Sequence, residues 1–141
     1  MNRSEESFPV VGAGVMILRE NRILLGRRLS SLGRGTYGWC GGAMRRGEGI
    51  RETAQREMLE ETGLLTEGLT LLSIAMVDID GEPVLDFEFL DNGVSGEPVL
   101  REPDKVEEWN WYCLDALPMP LFPPVSIGLS AFKSGTVLHQ F

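Results

Sequence analysis

Apolar and polar positions change period several times along the chain, and each change marks an element. Val10 to Leu18 (VVGAGVMIL) is an almost unbroken apolar run that predicts a buried strand. Glu20-Asn21 turns the chain, and Arg22 to Arg28 (RILLGRR) predicts a second strand. Leu29 to Gly38 is a Ser/Gly loop with glycines at 33, 35 and 38, and Trp39 to Met44 is a short strand containing Gly41-Gly42. Glu48 to Thr62 has the period of a helix, with Glu48 and Glu52 at its positive end and Gly63 placed to cap it in a left-handed conformation. Leu69 to Val77 is another strand. In Val84 to Leu90, Val84, Asp86 and Glu88 alternate with Leu85, Phe87 and Phe89, which predicts a two-faced strand; Val106 to Tyr112 alternates in the same way. A turn rich in proline (118, 120, 123, 124) leads into a short helix near Val125 to Lys133. Strands outnumber helices, so the expectation is an α+β fold, a mixed sheet with helices packed on it.

The helix breaks its own pattern. At about 100° per residue, Ile50, Ala54, Glu57 and Glu61 share one stripe, which ordinarily carries apolar residues toward the core. Glu60 stands beside Glu57, while Leu59 falls on the opposite side. Acids on the stripe that faces the protein differ from acids on a solvated face, because neighbouring carboxylates repel unless something positive lies between them.

Composition narrows the choice of partner. At 141 residues, 43% hydrophobic and 24% charged, the chain reads as one ordinary domain, residues 1–141, able to bury a core. A net charge of −8 argues against a nucleic-acid duplex or an anionic membrane. It argues against phosphate ligands too, unless bound cations reverse the local field. The opening MNRSEESFP lacks the basic and then apolar order of a signal peptide, and no apolar run approaches the ~18 residues of a membrane span. Cys40 and Cys113 are therefore expected as free thiols in a reducing cytoplasm. His139, the sole histidine, leaves no basis for a histidine triad or a histidine-rich zinc site.

The 23-residue run GAMRRGEGIRETAQREMLEETGL carries Gly42, Glu48, Arg56-Glu57, Glu60-Glu61 and Gly63-Leu64 in fixed order. At average residue usage that spacing arises by chance on the order of once in 10⁸ chains of this size, which sets aside a merely solvated acidic helix. Three carboxylates within reach suit a hard cation with oxygen ligands, Mg²⁺ or Mn²⁺ rather than zinc. Such an ion neutralises a polyphosphate and lowers the pKa of a bound water. The carbonyl of Gly41 is a further candidate ligand, and Gly42 lets the backbone approach a phosphate.

This run resembles the Nudix box, GX5EX7REUXEEXGU with U apolar, at every fixed position. The resemblance implies the Nudix α/β/α sandwich and metal-dependent hydrolysis of a nucleoside diphosphate linked to another group. Carried onto this chain, it implies Glu57, Glu60 and Glu61 as metal ligands, one of them also orienting or deprotonating water. Glu48 and Arg56 are implied as supports that position the helix and Glu57. GRRLSSLGRGTYGWCGG resembles the entry to the box in MutT-like triphosphatases. EPDKVEEWNWYCLDALP resembles a segment of the branch containing CTP and thiopurine-nucleotide diphosphatases. One departure is Cys40, which stands where proline usually precedes the two glycines; it is expected as a small apolar filler.

MutT-like enzymes often add a glutamate from a later loop, and Glu102 is the candidate here. Glu88 and Asp86 follow as runners-up, with Glu107 and Glu108 behind them. Arg27 and Arg28 are candidate phosphate contacts, since arginine suits bidentate phosphate binding. Trp109 and Trp111 point the same way in a strand and are expected in the core, with base stacking as the alternative. Tyr37 and Trp39 are placed similarly, and Lys105 beside Glu102 reads as a surface pair. The leading function is hydrolysis of a (d)NTP to the monophosphate and pyrophosphate. ADP-ribose or another nucleotide sugar, a dinucleoside polyphosphate or capped RNA is the second reading. It is weakened because Ile79 and Asp80 stand where ADP-ribose enzymes carry a proline, and no tyrosine of the dinucleotide kind is nearby. A non-catalytic nucleotide-binding module is the third. Small enzymes of this kind are commonly homodimers.

Overall fold

In the computed structural model, which describes residues 9–139, ten elements follow one another. They are β1 (Val10–Arg19), β2 (Arg22–Arg27), β3 (Tyr37–Gly38), β4 (Cys40–Ala43), α1 (Ile50–Thr62), β5 (Thr70–Ile79), β6 (Glu82–Asp91), β7 (Asn110–Cys113), α2 (Pro123–Ser134) and β8 (Leu138–His139). The N-terminal stretch in which no signal peptide is expected lies, but for Pro9, outside the described residues.

β1 is the spine, as its apolar run predicts. One edge pairs in parallel with β6 from Val10 to Ile17. The other edge is shared: Gly12 to Val15 pair antiparallel with β4, and Leu18 and Arg19 with β2. Beyond β6 the sheet continues through antiparallel β5 to parallel β8, and β2 also carries β3 and β7. A parallel β1–β6 pair needs a long crossover, which contains α1 and β5.

The two faces of the pleat receive different helices. Ala13, Val15 and Ile17 of β1 join Phe89 of β6 against Ala54 and Met58 of α1. Met16, between them in sequence, turns the other way and packs with Trp39, Leu72, Val125 and Leu129 under α2. This is the α/β/α sandwich expected. A bulge between Leu71 and Ser73 switches the parity of β5, so that Ala75, Val77 and Ile79 all face the α2 side.

Differences from expectation are local. The helix begins at Ile50, not Glu48, because Gly49 is its extended N-cap and the Glu52 carboxylate accepts from the Gly49 N–H at 3.1 Å. Gly63 ends it as predicted, with φ 75° and its N–H donating to the Leu59 carbonyl. Leu59, the residue off the stripe, is 40% exposed. Tyr37–Gly38, expected in the loop, forms β3 by pairing with Gly26 and Arg27. The alternation from Val106 to Tyr112 yields regular strand only from Asn110; Val106 forms a lone bridge to Arg28. Cys40 and Cys113 are free thiols, and Cys40 is buried as a filler. Among the described residues no helix is long and apolar enough to cross a membrane.

Candidate functional site

The site grows from the contact between α1 and β4. Glu57 and Glu61 stand one turn apart on the buried stripe, each 8% exposed. Room for them comes from glycine: a Cβ on Gly42 would lie 2.5 Å from the Glu57 carboxyl carbon. The Gly41 N–H donates to Glu61 Oε1 at 2.6 Å. A Cβ on Gly41 would strike the Ala13 carbonyl of β1, so the two glycines are required by packing on both sides of the strand.

A single guanidinium organises the acids. Arg56 donates to Glu48 at 2.6 and 3.1 Å, to Glu57 Oε1 at 2.8 Å, to Glu60 Oε2 at 3.3 Å and to the Ala43 carbonyl at 3.0 Å. Arginine alone offers five donors in a planar fork, so one side chain ties the loop, the strand and the helix together. Glu48 also accepts from the Arg45 N–H and the Thr53 hydroxyl. The Arg56 hydrogen bond holds the Glu48 carboxyl down to about 2.

Glu102 arrives from the segment between β6 and β7. Its carbonyl accepts from the N–H groups of Lys105 and Val106, and the Leu29 N–H donates to the Lys105 carbonyl, which pins the turn to the end of β2. Glu57, Glu61 and Glu102 thereby bring carboxylate oxygens within 4.8 Å of one another. Burial drives the Glu61 carboxyl up to about 8, with Glu57 and Glu102 adding repulsion against the help of the Gly41 N–H. Burial also raises Glu57, against the pull of Arg56. Lys105 Nζ lies 3.5 Å from Glu102 Oε2.

Glu102 Oε1 is buried and has no hydrogen-bond partner. An orphaned acceptor beside two desolvated carboxyls is costly unless a positive group completes it. All three donors are oxygens, so the set fits a hard divalent cation.

Other residues singled out from sequence fall in different places. Glu60 stands outside the trio at the rim, 3.7 Å from Arg45 as well as bonded to Arg56. Gly41 turns its N–H toward Glu61. Arg27 pairs with Glu107 at 3.3 Å and, with Tyr37 and Glu108, lines a polar recess apart from the trio. Arg28 lies closer: it donates to the Leu32 carbonyl, covers the Phe122 ring at 3.9 Å, and borders the groove that holds Glu57 and Glu61. Trp109 and Trp111 both pack into the α1-side core, and Trp109 Nε1 donates to the Glu61 carbonyl at 3.0 Å.

Asp86 and Glu88 lie on the opposite face of the sheet from Glu57. They are 4% and 2% exposed, and Trp39 Nε1 donates to Glu88 Oε1. A cavity opens there, walled by Leu32, Ile79, Val84 and Phe122 and bordered by Arg28 and the Gly41–Ala43 strand. Arg28 and the same three β4 residues also border the groove containing Glu57 and Glu61. The cavity and the carboxylate groove therefore adjoin across one glycine-rich strand. Alternation in β6 signalled two unlike faces; that the acidic face is the more buried one depends on α2 covering it, which no local pattern encodes.

A mixed sheet between two helices, with a glycine strand feeding a glutamate helix, defines the class. The family model of the NUDIX domain matches residues 8–130, and the chain belongs to the Nudix hydrolase family. The MutT NUDIX hydrolase of Burkholderia pseudomallei is 37% identical in sequence and superposes with a TM-score of 0.83, covering 89% of this chain and 98% of that one. The oxidized purine nucleoside triphosphate hydrolase of Mus musculus is 33% identical over 107 residues, 74% of this chain and 66% of that protein. The ADP-ribose pyrophosphatase of Methanocaldococcus jannaschii is 31% identical over 117 residues, 81% of this chain and 68% of that protein. The match thus spans just under two thirds of the mouse relative's length.

Proposed function

We propose that this protein is a Mg²⁺-dependent hydrolase that cleaves a nucleoside triphosphate to the monophosphate and pyrophosphate, with Mn²⁺ able to substitute. The observation that carries the reading is the convergence of Glu57, Glu61 and the unpartnered Glu102 oxygen beside a cavity that shares the Gly41–Ala43 strand. A largely apolar cavity adjoining a charged groove matches the two halves of a nucleotide, base and polyphosphate.

Glu57, Glu61 and Glu102 would hold the ion, with Glu60, a helical neighbour of Glu57, as the outermost carboxylate. When bound, the ion neutralises charge on the phosphate oxygens and acidifies water. Arg56 and Glu48 act by position, keeping Glu57 aimed at the groove. Glu61, whose carboxyl burial pushes up to about 8, would serve as a ligand to the ion, and its raised proton affinity suits it to exchange a proton with water in the groove. Arg28 and Lys105, both bordering the groove, supply positive charge to a phosphate that a protein of net charge −8 would otherwise repel. Free thiols suit a reducing cytoplasm.

A second substrate, ADP-ribose, is supported by the pyrophosphatase relative. Incubation with Mg²⁺ and a panel of (d)NTPs, ADP-ribose, nucleotide sugars and dinucleoside polyphosphates, with products identified by mass, tests both. Monophosphate and pyrophosphate from a triphosphate support the first reading; turnover of ADP-ribose alone overturns it.

A further inference from the structure

On the α2 face the carboxyl pair of β6 has a feature the hydrolytic chemistry does not use. Asp86 is 4% exposed, lines the apolar cavity, and its Oδ2 has no hydrogen-bond partner. Its neighbour Glu88 is differently placed. Trp39 Nε1 is committed to Glu88 Oε1, and Gly14 is required beneath them, because a Cβ there would run into both groups. Burial raises both carboxyls, and Asp86 raises Glu88 further. The Trp39 N–H opposes that rise at Glu88, whereas nothing donates to Asp86 Oδ2. The result is a bare acceptor oxygen, fixed by a strand, in a slot otherwise walled by Leu32, Ile79, Val84 and Phe122.

We propose that Asp86 is the specificity-determining residue of this site: its Oδ2 accepts hydrogen bonds from the N–H edge of the substrate's base, selecting bases that present ring N–H and amino donors together, the guanine type. The inference rests on the nucleotide reading above and names the base for that same site. Its logic is donor and acceptor counting. As a carboxylate, Asp86 offers an acceptor and no donor toward the slot. The guanine edge presents two adjacent donors, the ring N1–H and the 2-amino group. Adenine and cytosine each place an acceptor ring nitrogen beside their amino group, which would face the Asp86 oxygen lone pair to lone pair. A buried polar reader rejects a ligand that leaves it unpaired far more strongly than an apolar wall rejects a small change of shape. Oxidation at the imidazole ring leaves the N1–H/2-amino edge intact, so Asp86 treats oxidised and normal guanine alike, and any discrimination between them lies with other residues.

The test has two arms. In the wild type, kcat/KM is measured for dGTP, dATP, dCTP and 1-methyl-dGTP with Mg²⁺, and affinity for dGMP and dAMP is measured by calorimetry. Loss of one charge-assisted hydrogen bond corresponds to roughly 10- to 100-fold. The expected result is a preference for dGTP over dATP of that size or more, an equal loss on methylating N1, and the same order in monophosphate binding. In the second arm, Asp86→Asn, of the same shape, is expected to erase most of the dGTP preference, because its amide presents a donor as well as an acceptor to the base. Equal use of dGTP, dATP and 1-methyl-dGTP by the wild type overturns the proposal, as does an unchanged preference in folded Asp86→Asn. If that variant does not fold, the 1-methyl-dGTP comparison in the wild type decides alone. Turnover without base preference sinks this inference and leaves the hydrolase reading standing. Guanine-selective monophosphate binding without turnover of any triphosphate does the reverse.

Discussion

Gly42→Ala is a one-carbon test of how the site is built. Gly42 does not adopt positive φ, so alanine meets no backbone penalty there. Its Cβ would lie 2.5 Å from both the carboxyl carbon and Oε1 of Glu57, and 2.8 Å from Oε2. Ordinary contact between heavy atoms begins near 3.5 Å, so the carboxylate must retreat by about 1 Å. Retreat also disturbs its 2.8 Å bond from Arg56. Overpacking of this kind costs about 1–3 kcal/mol, or roughly 3–10 °C in Tm for a chain of this size. A 1 Å misplacement of a reacting group lowers turnover by about 100-fold. The expected outcome is therefore a folded protein, modestly less stable, with kcat on its preferred nucleotide reduced by about two orders of magnitude. A second comparison isolates the cause. In a Glu57→Ala background the methyl has nothing to displace, so adding Gly42→Ala should cost little more, a marked departure from additivity. Unchanged kcat in Gly42→Ala, or a full further loss in the double variant, would refute the argument that this glycine exists to seat Glu57.

Three further outcomes follow from the same geometry. Glu61→Gln and Glu102→Gln should each lower kcat by roughly 100-fold or more with circular dichroism unchanged; near-normal turnover in either would remove that residue from the site. Arg56→Lys keeps the charge but cannot reach Glu48, Glu57, Glu60 and the Ala43 carbonyl together, so kcat should fall by at least about tenfold, measured against a control substitution at exposed Arg46. Because burial pushes the folded Glu61 carboxyl up to about 8, against 4.5 for a free carboxyl, the folded state binds more protons across that window and metal-free stability falls as pH rises through it. Melting scans from about pH 5 to pH 8 should show Tm declining, with the decline reduced by saturating Mg²⁺; a rising metal-free Tm would contradict the burial of that acid.

What could be read from the sequence was whatever local periodicity or fixed spacing encodes. β1, β2, β5 and β6 and the Gly63 cap fall within a few residues of their expected places because apolar runs, alternation and a left-handed glycine are local signals. Arg56 and Glu48 were expected as supports through the family spacing, and in the structure the one guanidinium is shared among Glu48, Glu57, Glu60 and the Ala43 carbonyl. Harder to read was anything set by distant contacts. β3 and β8 are two residues each and exist only because β2 and β5 offer free edges. The alternation ending at Tyr112 contains Val106, which bridges to Arg28, while the regular strand waits until Asn110. Glu60 and Glu61 are adjacent in sequence, yet only Glu61 meets Glu57 and Glu102, because a 100° step carries Glu60 to the rim. Asp86 and Glu88 look like a solvated face until α2 is folded over them.

The most direct test is calorimetric titration of Mg²⁺, and separately Mn²⁺, into the purified protein with a non-hydrolysable nucleoside triphosphate present. Saturable binding is predicted in the wild type, and its loss in a Glu57→Gln/Glu61→Gln variant that still melts cooperatively. Failure of the wild type to bind either ion, or undiminished binding by that variant, would contradict the claim that these buried acids hold the cation.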